Sequence, residues 1–199
     1  MRKQIVAQKL IGLLNEKLQR QLNFEKTLIL GVVLKGLPVA YSLAKMNDVV
    51  DNFVPIVAQR HMYMQHHVES YFPSLDWRSY FTRQLSRSEN VLVVDDVVNT
   101  GFTKQRVESI VHALNSAWEK SLSHAFAALV LNLKNLANPR FVSERDIFAA
   151  RVKSKEVECD WGLITIPLWD VPVEIARRRC EEHFQKFWSH ENRMMTITY

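Results

Sequence analysis

Residues 91–103 read VLVVDDVVNTGFT, and this stretch decides the fold. Val91 to Val94 form a short apolar, β-branched run, the signature of a strand buried on both faces. Asp95 and Asp96 stand at its carboxyl end, which places both acids at an exposed strand terminus. Asn99-Thr100-Gly101 is a turn. Thr103 to Lys120 then carries apolar residues at helical spacing through Val107, Ile110, Val111 and Leu114. A helix start with free N–H groups is an anion site, and small hydroxyl residues close it around a phosphate. Carboxylates a few ångströms away suit ribose hydroxyls or a divalent cation instead. A ligand with a sugar diol at one end and a 5′-phosphate at the other satisfies both halves.

Working outward, the same alternation recurs. Lys3 to Leu22 repeats apolar positions at helical spacing, and Thr27 to Leu34 (TLILGVVL) is a buried strand that breaks at Lys35-Gly36. A helix over Pro38 to Lys45 follows, with Pro38 in its first turn. Further strands are expected at Asn52 to Ala58, Ala125 to Leu133, Ile147 to Val152 and Leu163 to Ile166, and a C-terminal helix at Pro172 to Trp188. Strands alternating with helices give an α/β fold with a parallel twisted sheet flanked by helices. In such sheets ligands sit beyond the carboxyl ends of the strands. Lys35-Gly36 and Asp95 to Thr103 both fall at that edge.

Composition narrows the class. The chain has 199 residues with 47% hydrophobic and 24% charged, which suits a single packed domain over residues 1–199. Two cysteines, Cys159 and Cys180, supply neither a disulfide framework nor a four-cysteine zinc site; they fit a reducing compartment, with a single bridge between them the alternative. No apolar run reaches the roughly 18 residues of a membrane span. Gln8, Lys9 and Asn15 interrupt the stretch where a signal peptide needs unbroken apolarity, so a cytoplasmic protein is expected. The net charge of +5 fits nucleic acid or phosphorylated small molecules equally.

The segment from Val91 to Thr103 resembles the signature of type I phosphoribosyltransferases, which bind phosphoribosyl pyrophosphate (PRPP). The resemblance is greatest to the hypoxanthine-guanine branch. It implies that Asp95 and Asp96 bind the ribose diol, directly or through Mg2+, and that Asn99, Thr100, Gly101, Phe102 and Thr103 cradle the 5′-phosphate. Leu28 to Ala44 is similar to the pyrophosphate-loop region of that branch, where the peptide before the lysine is often cis. Leu34-Lys35 would be that bond, and the backbone of Lys35 and Gly36 would face pyrophosphate. AALVLNLK resembles the strand ending in a lysine that reads a 6-oxopurine, which nominates Lys134. DWGLITIP resembles the segment before a base-stacking hood at about 155–199, with Trp169 the aromatic lid and Trp161 its substitute. By resemblance the protein is a homodimer that transfers phosphoribose from PRPP to a nucleobase, a 6-oxopurine first, in purine salvage. Nucleic acid and membrane are not expected partners.

Two departures stand out. The branch carries an Asp where this chain has Asn99, and an amide cannot take a proton at neutral pH. Its second metal-binding Asp has no counterpart near Glu174 and Arg177-Arg178-Arg179. A PRPP- or nucleotide-sensing protein that kept the cradle and lost transfer is therefore the alternative. VLVVDD also opens receiver domains of response regulators, and a plain strand–turn–helix with solvated acids is a further reading. Residues 60–90, crowded with His, aromatics and Arg, occupy the place of a flexible lid that excludes water. His61, His66 and His67 lack a carboxylate or cysteine at ligand spacing.

Overall fold

The computed structural model describes residues 4–33, 36–60, 66–69, 83–101, 103–105, 108, 111–112, 115–116, 119, 121–133, 147–153, 163–167 and 194–198. The main sheet has six strands: β2 (Thr27–Val33), β3 (Phe53–Arg60), β4 (His66–Glu69), β5 (Asn90–Val98), β6 (Ser123–Asn132) and β7 (Ile147–Lys153). Their order is β4-β3-β2-β5-β6-β7. Five of them run parallel, and β4 adds antiparallel at the edge beside β3. A separate three-stranded sheet joins β1 (Gln4–Val6) in parallel to β8 (Leu163–Pro167), with β9 (Met194–Thr198) antiparallel beyond.

Alternating side chains give the main sheet two apolar faces. On one, Ile29, Leu92, Val94, Ala127 and Leu129 pack with α1 (Ala7–Gln19) and α2 (Gly36–Met46). The stripe Leu10, Leu14 and Leu18 of α1 faces this layer, whereas Leu13, off the stripe, stays exposed. The other face sets Leu28, Leu30, Val91, Val93, Phe126 and Ala128 against Leu85 and Val111. Leu85 belongs to a helical turn at residues 83–87, and Val111 to helical residues recurring between 103 and 116.

Several expectations change. Gln4–Val6 form a strand, not the first turn of the helix, because β8 offers them a ladder more than 150 residues away. Residues 66–69 within the expected lid make an edge strand, and β9 was not foreseen. The strand bearing the acids runs on to Val98, so Asp95 and Asp96 lie within it. The expected C-terminal helix at 172–188, most of the segment 60–90 and the Leu34-Lys35 peptide lie outside the described residues. Among the described residues no helix is long and apolar enough to cross a membrane.

Candidate functional site at the switch point of the sheet

From β2 the chain crosses by α2 to β3 on one side, and from β5 it proceeds to β6 and β7 on the other. The strand order therefore reverses between β2 and β5, and a crevice opens at such a point outside the carboxyl ends. The ladder marks it. Pairing of β2 with β5 runs from Thr27↔Asn90 to Gly31↔Val94 and stops. β2 continues with β3 to Val33↔Val57, and β5 continues with β6 to Val98↔Leu131. Asp95 is the first residue past the fork.

Across the fork, the helix after β2 starts against β5. A Cβ at Gly36 would lie 2.5 Å from the Val94 carbonyl oxygen and 2.7 Å from the Asp95 Cα. Only glycine permits that approach, and it brings the start of α2 onto the backbone that carries the acids. Lys35, the other residue expected there, lies outside the described residues.

The two acids are not equivalent. Adjacent strand residues point to opposite faces: Asp95 is half-buried, and Asp96 is only 8% exposed. This corrects the expectation that both acids stand exposed at a strand end; the ladder to β6 holds Asp96 inside the sheet. The Asp96 backbone N–H donates to Asp95 Oδ1 at 2.9 Å, which turns the Asp95 carboxylate along the chain toward the loop.

Beyond Val98 the backbone bends through Asn99 and Thr100 into Gly101, whose φ of 82° lies in the left-handed region that glycine adopts without strain. Gly101 is buried, and its carbonyl accepts the Gln105 N–H at 3.1 Å, the first hydrogen bond of the next helix. The N–H groups of Thr103 and Lys104 therefore have no partner inside that helix, as an anion cradle requires. Thr100 and Thr103 are half-buried and Asn99 is exposed. Phe102 lies outside the described residues, as do Lys134 and Trp169.

Two polar residues were missed from sequence. Asn132, the last residue of β6, is 6% exposed and donates from Nδ2 to Asn99 Oδ1 at 3.0 Å. A polar residue closing the apolar run ALVLN, one strand over from the acids, was the available signal. Lys104 is 4% exposed at the helix start and its ammonium pairs with Glu108 one turn on, with His124 Nε2 3.7 Å from the same carboxylate. A second hollow, of about 480 Å³, lies at the opposite, amino-terminal edge between Glu25, Asp48, Asp51, Arg83 and Arg87. Its mixed charge and lack of a strand-to-helix loop set it apart from the crevice.

A family model described as phosphoribosyl transferase domain matches residues 1–146. Among solved structures, a purine phosphoribosyltransferase from Pyrococcus horikoshii Ot3 is similar at 18% identity and a TM-score of 0.53, covering 79% of this chain and 86% of that one. A hypoxanthine-guanine phosphoribosyltransferase from Bacillus anthracis is similar at 12% identity and a TM-score of 0.54, covering 78% and 85%. The xanthine-guanine-hypoxanthine phosphoribosyltransferase of Helicobacter pylori gives 13% and 0.50, covering 87% and 94%. At these identities the likeness is one of fold. No curated protein matches the sequence.

Proposed function

This chain belongs to the phosphoribosyl transferase domain family, and from that premise we propose that it moves phosphoribose from PRPP to a nucleobase, a 6-oxopurine first, with Mg2+. That it is a phosphoribosyltransferase, an enzyme of the glycosyltransferase type working on PRPP, follows from the family. The acceptor, the metal and the residue roles are our reading.

One observation carries it: at the fork between β2 and β5 an acid pair, a glycine-built loop and a second helix start lie at the same edge of the sheet. The 5′-phosphate would sit on the loop at 99–103, the diol on Asp95 and Asp96, and pyrophosphate at the start of α2 by Lys35 and Gly36. Lys134 and Trp169 would read and stack the base, as the sequence resemblance suggests. Magnesium takes one or two carboxylates plus substrate oxygens. Half-buried Asp95 and its neighbour Asp96 fit a metal that arrives with a polyphosphate. Bound there, it would neutralise charge on the departing pyrophosphate. The protein's own part is positioning and charge stabilisation: helix N–H groups fix the phosphate, and the loop holds C1 of the ribose for a ring nitrogen.

Incubation with PRPP, Mg2+ and a panel of purines and pyrimidines tests the reading. Release of pyrophosphate with a 6-oxopurine is expected. Saturable PRPP binding without release by any base would contradict transfer and support the sensing alternative.

A further inference from the structure

At the amino-terminal ends of β2, β3 and β5, three segments close around a hollow of about 480 Å³, within the roughly 300–1,000 Å³ of small-molecule sites. The turn at 83–87 gives it a basic wall, with Arg83 and Arg87 one helical turn apart. Glu25, ahead of β2, and Asp48 and Asp51, between α2 and β3, give it acidic walls. The walls are tied together without a ligand. Asn52 Nδ2 donates to the carbonyls of Phe24 and Glu25 at 3.1 Å each, and the Glu89 N–H donates to the Lys26 carbonyl at 2.8 Å. Gln84, on the basic wall, is only 6% exposed, and among the described residues its side-chain amide has no hydrogen-bond partner. A buried amide without a partner is costly, and the hollow it lines is where one can reach it. Asp48 is a second oddity. It follows α2 with a φ of 55°, where glycine or asparagine would turn the chain without a charge, and its carboxylate stands at the negative end of the helix dipole. Local conflicts of this kind gather at functional sites.

We propose that this hollow binds a basic amino acid, a small zwitterion with a second cationic group: its carboxylate on Arg87, its cationic groups on Glu25 and Asp48, and the Gln84 amide between them. An amide donates at one end and accepts at the other, so Gln84 between a basic and an acidic wall meets both halves of a zwitterion. Among the described residues the side chains of Arg87, Glu25 and Asp48 make no ion pair, whereas Asp51 and Arg83 each have interactions of their own. Two arginines against three acids leave the hollow one unit negative, which matches a ligand one unit positive and disfavours a sugar phosphate. The arginines also disfavour a bare metal ion, and among the described residues no group of three His, Cys, Asp or Glu could hold one. The hollow shares no residue with the crevice at the carboxyl edge, so the inference stands apart from the transfer reading.

Titration calorimetry of the wild-type protein with L-lysine and L-arginine tests this, beside norleucine, which lacks the side-chain ammonium of lysine, and cadaverine, which lacks its carboxylate. Saturable binding of lysine or arginine is expected, with norleucine and cadaverine about tenfold weaker or more. Arg87→Gln should weaken lysine about tenfold while cadaverine stays within about twofold. Asp48→Asn, which keeps a residue suited to that φ, should weaken lysine and cadaverine alike. Gln84→Leu should weaken lysine as well. None of these positions belongs to the transfer site, so PRPP affinity should stay within about twofold in each variant. No saturable binding of lysine or arginine at millimolar concentration overturns the inference, as does equal affinity for lysine, norleucine and cadaverine. Lysine binding that is unchanged in folded Arg87→Gln and Asp48→Asn proteins, or abolished by saturating PRPP, puts the probe elsewhere and overturns the site. Binding of inorganic phosphate that is lost in Arg87→Gln makes the hollow an anion site and overturns the assigned class.

Discussion

The exits of β2 and β5 face each other across the fork of the sheet, and they are built by different means. Both lead from a buried parallel strand into a helix start. At β2 the decisive feature is an absent side chain: Gly36 lets a helix terminus rest on the Val94–Asp95 backbone. At β5 it is a bent main chain, Gly101 at a φ of 82°, with Asn99 pinned to Asn132. One exit is fixed by how closely two backbones approach and the other by conformation and a side-chain hydrogen bond. The first is read from the sequence as a bare glycine and the second as a motif, which is why the second is far more legible.

The difference can be broken deliberately. The largest effect is expected from Asp95→Asn with Asp96→Asn, which leaves shape unchanged and removes both charges from the β5 exit. Two lost hydrogen bonds to charged groups correspond to roughly two to four orders of magnitude in PRPP affinity. Titration calorimetry with PRPP and Mg2+ measures it. Gly36→Ala comes next. Its methyl carbon meets the Val94 carbonyl at 2.5 Å, so α2 must move off β5, an overpacking cost of about 1–3 kcal/mol. Urea unfolding should register that cost together with weakened PRPP binding.

Smaller again is Gly101→Ala, where a side chain in the left-handed region adds about 1–2 kcal/mol of strain. Because the strain is confined to the loop, affinity for ribose 5-phosphate should fall while the start of α2 is undisturbed, and chemical-shift changes limited to residues near 99–105 would show it. Lys104→Met is the smallest. The Lys104–Glu108 pair lies on one helix, such pairs contribute about 0.5 kcal/mol or less, and methionine fills a buried position well. A change in stability below about 1 kcal/mol is expected by thermal unfolding, with PRPP binding unaffected.

What the sequence revealed follows from how local its signals are. TLILGVV, VLVV and AALVL are unbroken apolar runs, and parallel central strands need just that, so their place in the sheet could be read directly. The sharp turn after β5 carries its own glycine. Gln4–Val6 could not be read as a strand, because Ile5 and Val6 continue the apolar pattern of α1 and their partner is Leu163–Thr165. His66–Glu69 is polar and pairs only at an edge, where no apolar alternation is demanded. The burial of Asp96 was hidden for a related reason: residues 95–98 look like a strand's end until the β6 ladder carries them on to Val98. Asn132 escaped notice because Lys134 two residues later offers a more obvious charge, whereas its side chain bonds Asn99, just past the end of the adjacent strand.

The pairing of an acid couple with a phosphate loop at the β2–β5 fork is tested most directly by a crystal structure with ribose 5-phosphate bound. The expected density has the phosphate on the N–H groups at 101–104 and the 2′- and 3′-hydroxyls against Asp95 and Asp96. Sugar phosphate bound at the amino-terminal edge of the sheet, or a fork left empty at saturating ligand, would contradict it.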